Sequence, residues 1–336
     1  MGTDEEKVRE ITVAACFEQW LEEKETQLRP ATFQLYRQQI DKHILPKLGC
    51  MEMRRLSQAE LDHFFYEKRE SGRLDGGGGL SSSVLNLMKY LLHALQQYAR
   101  ENGYREDCVC RSRLAGKAEA KEKDLRILTR LEQLRLEGYL SSRFKDVKYG
   151  KLYLGIYTAL YTGLRVGELG GMQWGDVDFE RKELWIRRSL QRMRGKETEG
   201  SKTSLCLEPL SGESAERRIP MSQELSELLL RYARGDGAGM QGMETAPVFT
   251  YRDKPIEPRM FQQHLKQVLE ETGIEQVNFQ VMRHTYAARS LEAGMSLWRV
   301  SELLGLTHTA TVLRISEKLY ENGKESQNER ESVNAG

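Results

Sequence analysis

No run of about 18 apolar residues occurs in the 336-residue chain, so a membrane-spanning helix is not expected. A basic, apolar leader is also missing. The first residues, Met1-Gly2-Thr3-Asp4-Glu5-Glu6, are acidic, and a cytoplasmic protein is the expectation. Cysteine is sparse. Five residues, an odd number, argue against a disulfide framework. Cys108-Val109-Cys110 has one intervening residue and no second pair nearby, which reads as reduced thiols, so no metal is expected. Net charge is nearly absent at +1. Duplex affinity rests on lysine and arginine neutralising phosphates, so a nucleic-acid role has to come from local clustering.

Charged residues make up 30% of the chain and hydrophobic residues 39%, which describes a folded, helix-rich protein, and 336 residues exceed what one hydrophobic core usually serves, so two domains are expected. Residues 1–10 read as a disordered start. Helical spacing runs from Ile11 to about Arg113: Phe17, Trp20 and Leu21 form one stripe, and Thr32, Phe33, Tyr36 and Ile40 form another after Pro30, which suits a first helical turn. Ile44-Leu45-Pro46-Lys47-Leu48-Gly49 is expected to break the run. A helix near Ser57 buries Leu61, Phe64 and Phe65. A Gly-rich loop then leads through Ser81-Ser82-Ser83 into the stripe Val84, Leu87, Met88, Leu91, Leu92, Leu95 and Tyr98. Residues 114–124, with Lys117, Lys121 and Lys123, read as a basic linker. The second domain, 125–321, opens with a helix from Thr129 through Leu131, Leu134 and Tyr139, and Leu152 to Leu160 forms a buried helix. Leu184-Trp185-Ile186 and Arg218-Ile219-Pro220-Met221 read as strands flanking a turn-rich insert. Residues 322–336 are a polar tail expected to be disordered.

Two segments carry chemistry. Thr162-Gly163-Leu164-Arg165-Val166-Gly167-Glu168-Leu169 and Phe279-Gln280-Val281-Met282-Arg283-His284-Thr285 each place an arginine beside an amphipathic run. Arginine's planar fork donates bidentately to phosphate oxygens and stays charged, so two converging arginines suit stabilisation of a phosphoryl-transfer transition state. Glu168, one turn beyond Arg165, suits a partner that orients the guanidinium.

The two segments, followed by Leu303-Leu304-Gly305, resemble the TGLRxxE and HxLRHT boxes of the tyrosine recombinases, the phage-integrase family, and the resemblance extends over most of the chain. It implies a mainly α protein with a small β-hairpin or sheet in the second domain (α+β). An all-helical core-binding domain (11–113) would precede a recombinase catalytic domain, the two forming a clamp around double-stranded DNA. It also implies DNA recombination and integration for a mobile element through a 3′-phosphotyrosyl intermediate, with no metal or nucleotide cofactor. A tetramer on paired sites is the implied assembly, with other recombinase-family or accessory proteins as further partners and no membrane.

By position, Arg165 and Arg283 grip the scissile phosphate, and Lys202, in Ser201-Lys202-Thr203, matches the hairpin lysine that protonates the leaving oxygen. Three positions depart from the pattern. The first histidine is Gln280, and the histidine or tryptophan after Leu-Gly is Leu306. The family's spacing to the nucleophile lands on Ile315 or Ser316. Tyr320 lies one helical turn beyond Ser316 on the same face, and its phenol is far more acidic than a serine hydroxyl. His308 follows Leu306 by two residues, an offset that turns it to another helix face. Gln280 can donate a hydrogen bond to a phosphate but cannot exchange a proton. The catalytic set is thus Arg165, Lys202, Gln280 and Arg283, with Tyr320 or Ser316 as nucleophile. An active recombinase and a non-catalytic DNA-binding accessory protein are both open. The basic run Arg187, Arg188, Arg192, Arg194 and Lys196, with Lys117 and Lys121 of the linker, is expected to face DNA.

Overall fold

The computed structural model describes residues 10–107, 125–193, 203–210, 216–235 and 244–321. Lys117, Lys121, Lys123, Arg194, Lys196, Lys202 and both terminal segments lie outside the described residues. The chain divides into two compact units, residues 1–122 and 123–336.

In the first unit every described element is helical: α1 (Val13–Glu25), α2 (Pro30–Gln39), α3 (Leu45–Leu48), α4 (Gln58–Ser71) and α5 (Ser82–Glu101). Their starts follow from local chemistry. Thr12, Ser57 and Ser81 each accept a backbone N–H of the first turn, satisfying an otherwise unpaired donor, and Pro30 occupies a first-turn position where its missing N–H costs nothing. Phe17, Trp20 and Leu21 of α1 bury against Ile40, Ile44, Leu61, Phe64, Met88, Leu91, Leu92 and Leu95. The expected break falls at the end of the segment, at Gly49, and not at its proline. A π-helical turn, Ile40–Ile44, joins α2 to α3, and Pro46 falls in the first turn of α3, so the backbone remains helical through a proline.

The second unit has α6 (Arg130–Ser142), α7 (Gly150–Thr162), α8 (Val166–Gly170), α9 (Gln223–Gly235), α10 (Pro258–Thr272), α11 (Phe279–Glu292) and α12 (Leu297–Leu304). Residues 310–321 form a further helical stretch, called the terminal helix below. A capping box of Thr129 and Glu132 starts α6. Leu136 and Leu140 form its buried face, whereas Leu131 and Leu134 are exposed. Helix α7 is apolar nearly all round, with Leu152, Ile156, Ala159 and Leu160 inside the core, as a helix surrounded by others must be.

Three small antiparallel sheets flank these helices. β1 (Val177–Asp178), β2 (Glu183–Ile186) and β5 (Arg217–Pro220) form one, in the order β1-β2-β5. β3 (Arg188–Met193) pairs with β4 (Ser204–Pro209), with Arg188 opposite Pro209 and Met193 opposite Ser204. β6 (Thr250–Tyr251) pairs with β7 (Lys254–Pro255). The stretch between β2 and β5, expected to be turn-rich, therefore holds a second two-stranded ribbon. The architecture is mainly α with small sheets confined to the second unit, as expected.

Candidate active site

The site is assembled where α7 ends and α8 begins. Gly163 caps α7 with a left-handed backbone, φ 63°, which reverses the chain so that Leu164 enters the core and Arg165 emerges at the start of α8. The backbone N–H of Arg165 donates to Glu168 Oε2 at 2.9 Å, and its Nη1 donates to Glu168 Oε1 at 2.9 Å. Glu168 is buried, while the Arg165 side chain is about half exposed at 48%. One end of that guanidinium is thus anchored on Glu168, while about half of the side chain stays open to solvent.

Arg283 comes from the first turns of α11 and is only 3% exposed. Its Nη1 donates to the carbonyl of Gly163 at 2.7 Å, and its Nη2 donates to the carbonyl of Leu304. Among the described residues it forms no ion pair at salt-bridge distance. Burial, and next the neighbouring Arg165, push Arg283 down to about 9. It remains charged at neutral pH, so the protein holds a nearly buried cation whose direct partners are backbone carbonyls. Such a group is expensive to desolvate and favours an arriving anion.

A third arginine, absent from the sequence expectations, completes the cluster. Arg217, the first residue of β5, points inward and is buried. It donates from Nη1 to Glu168 Oε1 at 3.1 Å, from Nη2 to Glu168 Oε2 at 2.7 Å, and from Nε to the carbonyl of Leu303 at 2.7 Å. Burial alone would raise the Glu168 carboxyl. The hydrogen bond and charge of Arg217, with a smaller contribution from Arg165, outweigh it and hold the group below the usual carboxylate range. The signal available in the sequence was the alternation of β5, which puts Arg217 and Ile219 on the buried face and Arg218 on the exposed one.

The end of α12 meets all three arginines. Leu303 C=O accepts from Arg217, Leu304 C=O from Arg283, and Gly305 C=O from Arg165 Nη2 at 3.5 Å. The last carbonyls of a helix have no intrahelical partner and carry the negative end of its dipole, so cations collect there.

Arg165, Gln280 and Arg283 line one open cleft of about 600 Å³, with Asn278, Lys266 and Gln262 among its polar neighbours. Asn278 caps α11 by accepting from the N–H groups of Gln280 and Val281, which fixes the entry of that helix into the cleft. Gln280 Nε2 lies 2.8 Å from His284 Nε2, one turn along the helix. Leu306 and His308 instead line an adjacent cleft that also includes Arg217 and Arg299. The terminal helix buries Val312 and Ile315 against Ala287, Ala288, Val300 and Leu304. Ser316 is partly buried and Tyr320 is 67% exposed. Neither lines the cleft of Arg165 and Arg283.

The described basic residues of the ribbon region have local partners. Arg187 Nη2 lies 2.5 Å and Arg188 Nη1 3.0 Å from the buried Asp176 carboxylate. Arg192 Nε donates to Glu257 at 2.9 Å. Arg187 and Arg218 both pack on the ring of Trp185, at 4.2 and 5.1 Å from its centroid.

Two family models match. "Phage integrase, N-terminal SAM-like domain" covers residues 12–68, and "Phage integrase family" covers residues 140–321, more than half of the chain. The chain belongs to the phage integrase family. Among curated proteins, this integrase-family protein is 24% identical to a tyrosine recombinase XerC-like protein of Caldanaerobacter subterraneus subsp. tengcongensis, covering 91% of the chain and 79% of that protein. It is 32% identical to tyrosine recombinase XerC of Roseiflexus castenholzii over 45% of the chain and 42% of that protein. It is 24% identical to the ICEBs1 integrase of Bacillus subtilis over 51% of the chain and 46% of that protein. Among solved structures, the Tn1549 transposon integrase in complex with a circular intermediate DNA superposes with a TM-score of 0.72 at 18% identity, covering 91% of this chain and 94% of that one. A lambda integrase tetramer bound to a Holliday junction gives a TM-score of 0.61 at 18% identity, covering 91% and 78%. These superpositions show that the integrase fold extends over both units.

Proposed function

We propose that this integrase-family protein is a site-specific DNA recombinase of a mobile element, cutting and rejoining duplex DNA through a phosphotyrosyl intermediate. The observation that carries the proposal is the nearly buried Arg283, held by carbonyls and opening beside Arg165 onto a shared cleft. A phosphodiester entering that cleft supplies the negative charge Arg283 lacks, and both planar forks suit its non-bridging oxygens. Gln280 adds a neutral hydrogen bond.

In the chemical step, the nucleophile's oxygen forms a bond to phosphorus as the bond from phosphorus to the 5′ oxygen breaks. The nucleophile's proton is released, and the leaving oxygen takes a proton from Lys202. Attack by the freed 5′ hydroxyl of a second strand reverses the step and rejoins the DNA. Tyr320 is the phenol of the terminal helix. Because it does not line the cleft, its use requires that helix to shift toward Arg165 when DNA binds. The ribbon residues Arg187, Arg188 and Arg192, with Arg194 and Lys196, and the linker residues Lys117 and Lys121, track the phosphate backbone. Assembly is a tetramer on paired sites, a reading supported by the lambda integrase tetramer bound to a Holliday junction, and the setting is the cytoplasm.

A second reading rests on Ser316 in the nucleophile position, Leu306 in the histidine position and Tyr320 away from the cleft: a DNA-binding accessory member without the chemistry. Covalent trapping separates the two. The protein is incubated with nicked duplexes carrying the ends of its element, denatured, and run beside Tyr320→Phe and Ser316→Ala. A DNA-linked band lost only in Tyr320→Phe supports the recombinase. A shifted complex in a native gel with no linked band supports the accessory protein.

A further inference from the structure

Arg217 touches neither Gln280 nor the cleft of Arg165 and Arg283, yet it bonds to what holds both arginines. Its fork takes both oxygens of Glu168, the carboxylate that anchors the Arg165 side chain and backbone. Its Nε takes the carbonyl of Leu303, directly before the two carbonyls that receive Arg283 and Arg165. It therefore ties the start of α8 to the end of α12, elements 135 residues apart in sequence if counted from Glu168 to Leu303. Tyr286 of α11 lies on the same cluster, its charge-coupled neighbours being Arg299, Arg217 and Arg283.

We infer that Arg217 is a positioning residue of the phosphate site: by clamping Glu168 and the Leu303 carbonyl into one unit, it sets the directions of the Arg165 and Arg283 guanidiniums before DNA arrives. The inference rests on the phosphate-site reading above. Its chemistry favours arginine over lysine, because an ammonium cannot engage both oxygens of a carboxylate and a separate carbonyl through one rigid planar fork. It also separates position from charge. Removing Arg217 together with the charge of Glu168 leaves the local net charge as it was but removes the clamp.

The test uses the full-length protein and inorganic tungstate, a tetrahedral oxyanion that stands in for phosphate, with affinity read by calorimetry. Retention of duplex DNA in a native gel and the thermal midpoint are measured alongside. The wild type binds tungstate and Arg165→Ala does not. Arg217→Met, Arg217→Lys and the double variant Glu168→Gln/Arg217→Met each bind about tenfold more weakly or worse while folded, since a misdirected guanidinium forfeits at least one hydrogen bond to the charged anion. If Arg217→Met does not fold, Arg217→Lys and the double variant, whose buried pair stays balanced, carry the comparison. Wild-type affinity in Arg217→Lys or in the double variant overturns the inference, because charge or stability alone then accounts for Arg217. Absence of wild-type binding, or undiminished binding in Arg165→Ala, overturns the phosphate-site reading and the inference with it.

Discussion

Gly163→Ala and Gly273→Ala form a matched pair of perturbations. Both glycines cap helices of the second unit in the left-handed region, at φ 63° and 64°. An alanine there carries the same dihedral cost at each, about 1–2 kcal/mol, offset by about 0.4–1 kcal/mol from a less flexible unfolded chain. Their surroundings differ. A Cβ on Gly273 meets nothing within 4 Å, whereas on Gly163 it would lie 2.7 Å from Tyr286 Cδ1 and 2.9 Å from Leu304 Cδ2. Tyr286 is wedged beside the arginine cluster, and Leu304 belongs to the α12 end that receives Arg283, so neither can move without cost. Overpacking of this kind costs about 1–3 kcal/mol. Gly273→Ala is therefore expected to lose about 0–1.6 kcal/mol, and Gly163→Ala about 1–3 kcal/mol more. Urea unfolding followed by circular dichroism measures both in the same unit, with an unchanged dependence on urea showing that the transition remains comparable. Equal losses would refute the reasoning, since the requirement for glycine would then be conformational alone.

Two further outcomes follow from charges outside the phosphate cleft. His264 is buried between the rings of Tyr149 and Tyr153, with Asp146, Glu271 and Gln267 facing it, and burial holds it below its ordinary value. The unfolded chain then binds the proton first on acidification. Stability of the second unit is complete above about pH 6.5 and declines below it by at most about 1.4 kcal/mol per pH unit from this group. Urea midpoints from pH 7.5 to 5 should show a shallower slope in His264→Gln, and an unchanged slope would show that other groups titrate instead. Glu257→Gln releases Arg192, and duplex affinity at low salt should rise severalfold, with a salt dependence steeper by up to about one charge. Unchanged affinity would mean that Arg192 does not meet the DNA backbone.

Much of this fold was legible in the chain because its helices announce their own ends. Ser57, Ser81 and Thr129 cap where expected, Pro30 opens α2, and the stripes of α1, α5 and α7 are the faces that bury. The two arginine boxes were equally local: each needs only a helix start and a short motif. Arg217 was missed although the alternation of β5 turns it inward, because its importance comes from a carboxylate 49 residues away and a helix end beyond it, which a four-residue strand does not announce. Likewise, the π-helical turn at Ile40–Ile44 has the composition of an ordinary helix, and only packing decides its extra residue. The ribbon of β3 and β4 was expected only through the family's hairpin around Lys202 and not as strands of its own, because both strands are half exposed and polar, so their alternation is weak. The basic run of Arg187 and Arg188 was legible in the sequence, but their pairing with Asp176, 11 and 12 residues away, was not.

The central claim is that Arg165 and Arg283 together neutralise one phosphate. It is tested most directly by replacing the scissile phosphate of the bound duplex with an uncharged methylphosphonate and measuring affinity for wild type and for Arg165→Ala/Arg283→Ala. Hydrogen bonds to a charged group contribute about 1.5–3 kcal/mol each, so wild type should lose at least about tenfold on the neutral linkage. The double variant should bind both duplexes alike. An equal loss in wild type and variant would contradict the account, since the phosphate would then be held by other residues.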